Sequence, residues 1–192
     1  GIAVGADGMV WIADATKQRL ARFSPDGRTR DWFGDPNALT GLSGVAVLPD
    51  GRLVVTAADP PLPRTNGRRL LVLSSNGEVL EAIDPHFEGI WRYNPTDVRA
   101  DRGRLLLTGN GKRQLCAGTG CRDVPGPAVV ELDAAWHVAA RFAPGDGIEG
   151  GSWGESSGMA ADDDGGIVAV TAPDSRFIRF APDGAPAHIG RS

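Results

Sequence analysis

The sequence predicts an all-β fold built from a repeated four-strand unit. Three observations carry that prediction: a surplus of chain-breaking residues, an apolar content without long apolar runs, and one phrase that recurs four times. Gly (27) and Pro (14) together make about a fifth of the 192 residues, against about 12% in average usage. Both residues break helix interiors, so a helix-rich fold is disfavoured. The hydrophobic share of 41% excludes a disordered tail. No stretch approaches the roughly 18 apolar residues of a membrane-spanning helix. The net charge of −4 supplies solubility and no electrostatic reason to bind nucleic acid.

The elements follow in order. The phrase reads Gly-Ile-Ala-Val-Gly-Ala-Asp-Gly at 1–8 and Gly-Val-Ala-Val-Leu-Pro-Asp-Gly at 44–51. It returns as Thr-Asp-Val-Arg-Ala-Asp-Arg-Gly at 96–103 and Gly-Met-Ala-Ala-Asp-Asp-Asp-Gly at 158–165. Each copy is a short first strand ending in an Asp-Gly type turn, where Asp bonds its own backbone and Gly takes positive φ. A β-rich second run follows at 9–13, 53–56, 105–108 and 167–171. A third lies at 20–23, 70–73, 129–132 and 177–180. A second turn comes next: Ser-Pro-Asp-Gly (24–27), Ser-Ser-Asn-Gly (74–77) and Ala-Pro-Asp-Gly (181–184), with Leu-Asp-Ala-Ala-Trp (132–136) in that place in the third unit. Weaker fourth strands close the units at 30–33, 79–83, 138–142 and 186–189.

Four strands per unit of about 48 residues is the signature of a β-propeller blade. A β-sandwich would not repeat one phrase four times. The blades are expected at about 1–43, 44–95, 96–157 and 158–192, in a single propeller region. Small residues in the first strand (Gly1, Ala3, Gly44, Ala46, Ala100, Gly158, Ala160) suit a crowded central axis. Residues 1–27, with the strand–Asp-Gly–strand–Pro-Asp-Gly pattern, resemble an NHL repeat. The same pattern is similar to the wider six-bladed superfamily of senescence-marker-protein/gluconolactonase-like hydrolases and virginiamycin B lyase. Such propellers have five or six blades, so the resemblance makes this chain part of a larger ring, with a compact four-bladed ring as the alternative. These motifs identify a blade and not a reaction.

Blade topology sorts the connections. The tight Asp-Gly and Asn-Gly turns share one rim. Asp162, Asp163 and Asp164 belong to such a turn, because a calcium loop needs alternating ligands and a distal Glu. The long connections at 34–43, 58–69, 84–95, 109–127 and 144–157 share the other rim. Binding concentrates where loops exceed what geometry requires. That rim carries Arg64, Arg68, Trp91, Arg92, Tyr93, Lys112, Arg113 and Trp153. Aromatic and Arg residues together mark recognition surfaces, although Trp91 and Trp153 serve equally as wedges between blades. The expected partner is a protein or glycan, making the chain a non-catalytic binding module.

The alternative is a divalent-cation-dependent hydrolase, lactonase or lyase. The resemblance implies a Glu, Asn and Asp set at the channel mouth. Asn94 and Asp97 at the start of a first strand and Glu155 before another occupy matching places, with Ca²⁺ as the suited hard cation. Asn-Pro-Thr-Asp is equally a turn sequence, and the module reading expects no cofactor. Gly-Gly-Ser-Trp-Gly (150–154) matches G-x-S-x-G with Asp174 and His188 following, but lacks the strand–turn–helix context a nucleophile elbow needs. The remaining histidines, His86 and His137, stand in separate units. Cys116 and Cys121 have the C-x₄-C spacing of a small disulfide loop, with free thiols as the other reading. No nearby His or Cys completes a zinc site. A disulfide implies an oxidising, extracytoplasmic compartment, periplasmic or secreted.

Overall fold

A computed structural model describes residues 1–58, 68–83, 92–117, 120–125, 128–143, 156–171 and 176–191. Among them every element is a β-strand, and all four sheets are antiparallel and joined by hairpins. No helix is long and apolar enough to cross a membrane. The fold is that of β-propeller blades, in two compact units: Gly1–Asp84 with Asp97–Gly103, and Pro85–Thr96 with Arg104–Ser192.

In the first unit, β1 (Ile2–Val4), β2 (Val10–Asp14), β3 (Arg19–Phe23) and β4 (Arg30–Phe33) form one sheet in chain order. β5 (Gly44–Val47), β6 (Leu53–Ala58), β7 (Arg68–Leu73) and β8 (Val79–Ile83) form the next. The turns are built as their residues dictate. At 48–52 the Asp50 carboxylate accepts the Arg52 N–H at 3.0 Å, and Gly51 takes φ 84°. Strand alternation then sends one face of each sheet into a shared core. Trp11, Ala13 and Leu20 of the first sheet pack with Val45, Leu53, Val55 and Leu71 of the second. Full burial of a Leu or Val stabilises by roughly 1.5–3 kcal/mol, so this face dominates the unit's stability.

In the second unit, β14 (Ser156–Ala161), β15 (Ile167–Thr171), β16 (Arg176–Phe180) and β17 (Pro186–Arg191) repeat the pattern. Its core joins Leu106, Val129 and Phe142 to Met159, Ile167, Ile178 and Phe180. Phe142 and Phe180 meet edge-on at 5.8 Å. Arg104 fastens the packing: one guanidinium nitrogen bonds Glu131 at 2.7 Å and the other donates to the Gly165 carbonyl at 2.7 Å.

The remaining sheet departs from expectation. It holds β9 (Arg92–Asp101), β10 (Arg104–Ala117), β11 (Gly120–Pro125), β12 (Val129–Leu132) and β13 (Val138–Phe142). The expected loop at 109–127 is mostly a hairpin, because β10 runs on to Ala117 and β11 returns beside it. Pairing continues in one register, from Leu105↔Leu132 and Thr108↔Val129 to Lys112↔Pro125 and Cys116↔Cys121. So the sheet is a four-stranded blade whose second hairpin is prolonged, and β11 adds a fifth strand. Asn-Pro-Thr-Asp, where a turn was the other reading, is extended strand within β9.

Candidate functional site

The first strands of the blades hold the candidate site. In the first unit they approach so closely that side chains are excluded. A β-carbon on Gly44 would lie 2.7 Å from the Val98 nitrogen, and one on Gly1 would lie 2.8 Å from the Ser43 oxygen. This accounts for the glycines that open both phrases. The Gly1 nitrogen donates to the Ser43 carbonyl at 2.6 Å. Thr56, fully buried, accepts the Gly44 N–H at 2.7 Å and shares a 2.7 Å hydroxyl bond with Ser43.

Asp97 belongs to the same unit and abuts Gly44. Its side chain is 18% exposed and lies 3.7 Å from the Arg99 guanidinium. Burial pushes its carboxyl above the usual 3.8, against the Val98 N–H and the Arg99 charge, which favour the ion. A carboxylate whose ionisation is opposed by burial is a candidate functional group.

In the second unit, the Thr96 hydroxyl donates to the Thr108 carbonyl at 3.2 Å. Asn94 lies two residues before Thr96 on β9. Its Oδ1 is buried and has no hydrogen-bond partner among the described residues. Buried polar atoms are nearly always partnered, so this oxygen calls for an explanation. An amide oxygen of this kind fits a hard cation or a ligand N–H or O–H. Asn94 and Asp97 are three positions apart, an odd spacing that puts them on opposite faces of an extended strand. Among the described residues no group of three or more His, Cys, Asp or Glu could hold a metal ion.

The other expected site residues divide by position. Arg64, Trp91, Trp153 and Glu155 lie outside the described residues. Arg68 opens β7, Arg92 and Tyr93 open β9, and Lys112 and Arg113 lie on β10, with only their backbones described. Cys116 and Cys121 form a disulfide between directly paired residues, which removes the free-thiol reading. Asp162 bonds the Gly166 N–H at 2.6 Å and Arg179 at 2.8 Å, as a turn residue does. Sequence reasoning missed Thr56 and Thr108, although Arg-Leu-Val-Val-Thr (52–56) and Arg-Leu-Leu-Leu-Thr (104–108) stand in matching places.

Comparison with known proteins supports the fold. The chain is similar to virginiamycin B lyase from Staphylococcus aureus, at TM-score 0.63 and 14% identity over 99% of this chain and 54% of that one. A catalytically inactive form of that lyase with quinupristin matches at TM-score 0.65 and 15% identity, over 100% and 54%. A structure described as a gluconolactonase matches at TM-score 0.55 and 19% identity, over 97% and 61%. The chain thus spans about half the length of the lyase it matches. No family model matches the sequence, and no curated protein does.

Proposed function

We propose that the chain supplies blades of a divalent-cation-dependent hydrolase or lyase that opens a lactone-type ring. The observation that carries this reading is the buried, unpartnered Oδ1 of Asn94 on a first strand. The enzymes among its structural neighbours support it. Asn94 is the donor of choice and Glu155 a second candidate from the sequence; Asp97, on the opposite face of β9, is not a co-ligand of Asn94. A bound Ca²⁺ would act as a Lewis acid on the ester carbonyl. The chain's own part is to hold the Asn94 oxygen in place, through the β9–β10 pairing, and to exclude water around it.

Calorimetric titration with Ca²⁺, together with lactone hydrolysis with and without chelator, tests the proposal. Binding heat is expected for the native chain and not for Asn94→Ala, with chelator-sensitive ring opening. No heat and no turnover from folded protein would remove it.

That outcome would favour a second reading, in which the long-loop rim binds a protein or glycan without chemistry. Its support is the prolonged β10–β11 hairpin, closed by a disulfide and carrying Lys112 and Arg113. We infer from the same disulfide an oxidising compartment outside the cytoplasm.

A further inference from the structure

What holds Asn94 in place lies one strand away. Asn94 stands on β9 directly before Pro95, and β9 pairs with β10. A residue before proline is confined to extended backbone, and Pro95 itself has no N–H to give to the ladder. The neighbouring Thr96 hydroxyl donates to the Thr108 carbonyl at 3.2 Å. Next to Thr108, Gly109 is buried and has no positive φ, so its backbone does not call for glycine. Space does. A β-carbon there would run into the Asn94 carbonyl oxygen, and it would lie 2.9 Å from both the Asn94 carbonyl carbon and the Pro95 α-carbon. On the other side the Gly109 N–H donates to the Ala128 carbonyl at 3.3 Å, and the Ala128 N–H to the Phe142 carbonyl at 2.9 Å. β10 is thus held from behind, and a side chain at 109 would push on the Asn94–Pro95 peptide.

The repeat shows that this glycine is peculiar to the third blade. Gly109 comes six residues after the turn glycine Gly103. Six residues after Gly8, Gly51 and Gly165 stand Asp14, Ala57 and Thr171. Each of these carries a β-carbon, and Ala57 does so while fully buried. The blade plan therefore accommodates a side chain at this place, and the third blade omits it where Asn94 crosses. Glycine weakens a strand interior and often marks a close backbone approach. The third blade accepts that weakness beside the buried Oδ1 that has no partner among the described residues.

We propose that Gly109 and the Thr96 hydroxyl are positioning residues for Asn94. Together they fix where its amide oxygen stands, and so set the affinity of the site for a divalent cation. This rests on the cation-dependent reading above and deepens it. An amide oxygen serves Ca²⁺ at about 2.3–2.6 Å, so a donor pushed off that distance contributes less. Gly109 leaves the Asn94–Pro95 peptide the room it occupies, and Thr96 ties the same segment to β10.

Calorimetric Ca²⁺ titration and the side-chain amide signal of Asn94 in ¹⁵N-labelled protein test it, the signal being identified by its loss in Asn94→Ala. Gly109→Ala is expected to shift that signal in metal-free protein. It is also expected to weaken Ca²⁺ binding roughly 10–100-fold, the range for residues that support a metal ligand. Thr96→Val removes a hydroxyl and adds no bulk. It should move both readouts in the same direction by less, and it carries the test if Gly109→Ala does not fold. Gly51→Ala lowers stability in a turn of another blade, so it should leave the signal and the affinity at their native values. That control separates positioning from loss of stability. Native affinity in Gly109→Ala, or an unmoved Asn94 signal, overturns the proposal and leaves the cation reading standing. A native chain without binding heat removes the cation reading instead, and the metal-free amide signal then decides by itself whether Gly109 places Asn94.

Discussion

Single residues decide the blade turns and the axis by two different physical routes. Gly51 has φ 84° and open space around its α-carbon. Gly44 has ordinary φ but no room for a β-carbon beside Val98. Gly51→Ala should therefore cost about 1 kcal/mol, from backbone strain alone. Gly44→Ala should cost more, about 2–4 kcal/mol, because two strands must separate. Urea unfolding of both variants checks the order, and equal losses would mean the first strands yield easily. The Gly51 route is legible from an Asp-Gly turn. The Gly44 route is not, because it depends on a strand about fifty residues away. Trp136 is illegible for a related reason: it takes φ 66° where other blades place Gly. The Asp133 carboxylate, accepting the Ala135 and His137 N–H groups, holds that turn without glycine.

At the scale of elements, most strands were legible because apolar alternation and turn residues agree. The prolonged hairpin was not. Its residues, Gly-Asn-Gly-Lys-Arg-Gln (109–114), carry turn formers and charges rather than β-branched side chains. Pairing with β11 and the disulfide makes it a strand. Such a staple contributes about 2 kcal/mol in the chain-entropy account. It sits at an exposed tip beyond the sheet's core, so its effect should be local. Cys116→Ser with Cys121→Ser should speed amide exchange in β10–β11 by up to roughly 30-fold. The melting temperature should move by less than about 2 °C. A drop beyond about 5 °C would show that the hairpin unfolds with the blade. The candidate site was half legible: Asn94 and Asp97 stood out by chemistry, but only the strand shows that they face apart.

The whole molecule carries a repeated acid signature. Hydrogen bonds in the turns hold Asp26, Asp50 and Asp133 below the usual carboxylate value. At Asp162 desolvation is the largest influence and raises the value, but the Arg179 and Gly166 hydrogen bonds outweigh it. Groups with a depressed folded value stabilise above the unfolded value near 3.8, and that stability is lost as pH falls through the folded values. Urea midpoints should therefore drop from pH 5 to pH 2.5, with the loss spread over many turns. Asn at positions 26, 50 and 133 keeps an acceptor but does not titrate, so the triple variant should show a shallower acid limb. An unchanged limb would place the acid sensitivity elsewhere. The topology has a kinetic consequence too. Described strands pair with their neighbours in sequence, apart from β10, which reaches past β11 to β12. Among the described residues no sheet waits for a distant segment of chain. During synthesis β1–β4 can pair before β5 emerges, and low sequence separation of this kind shortens the search for the native state.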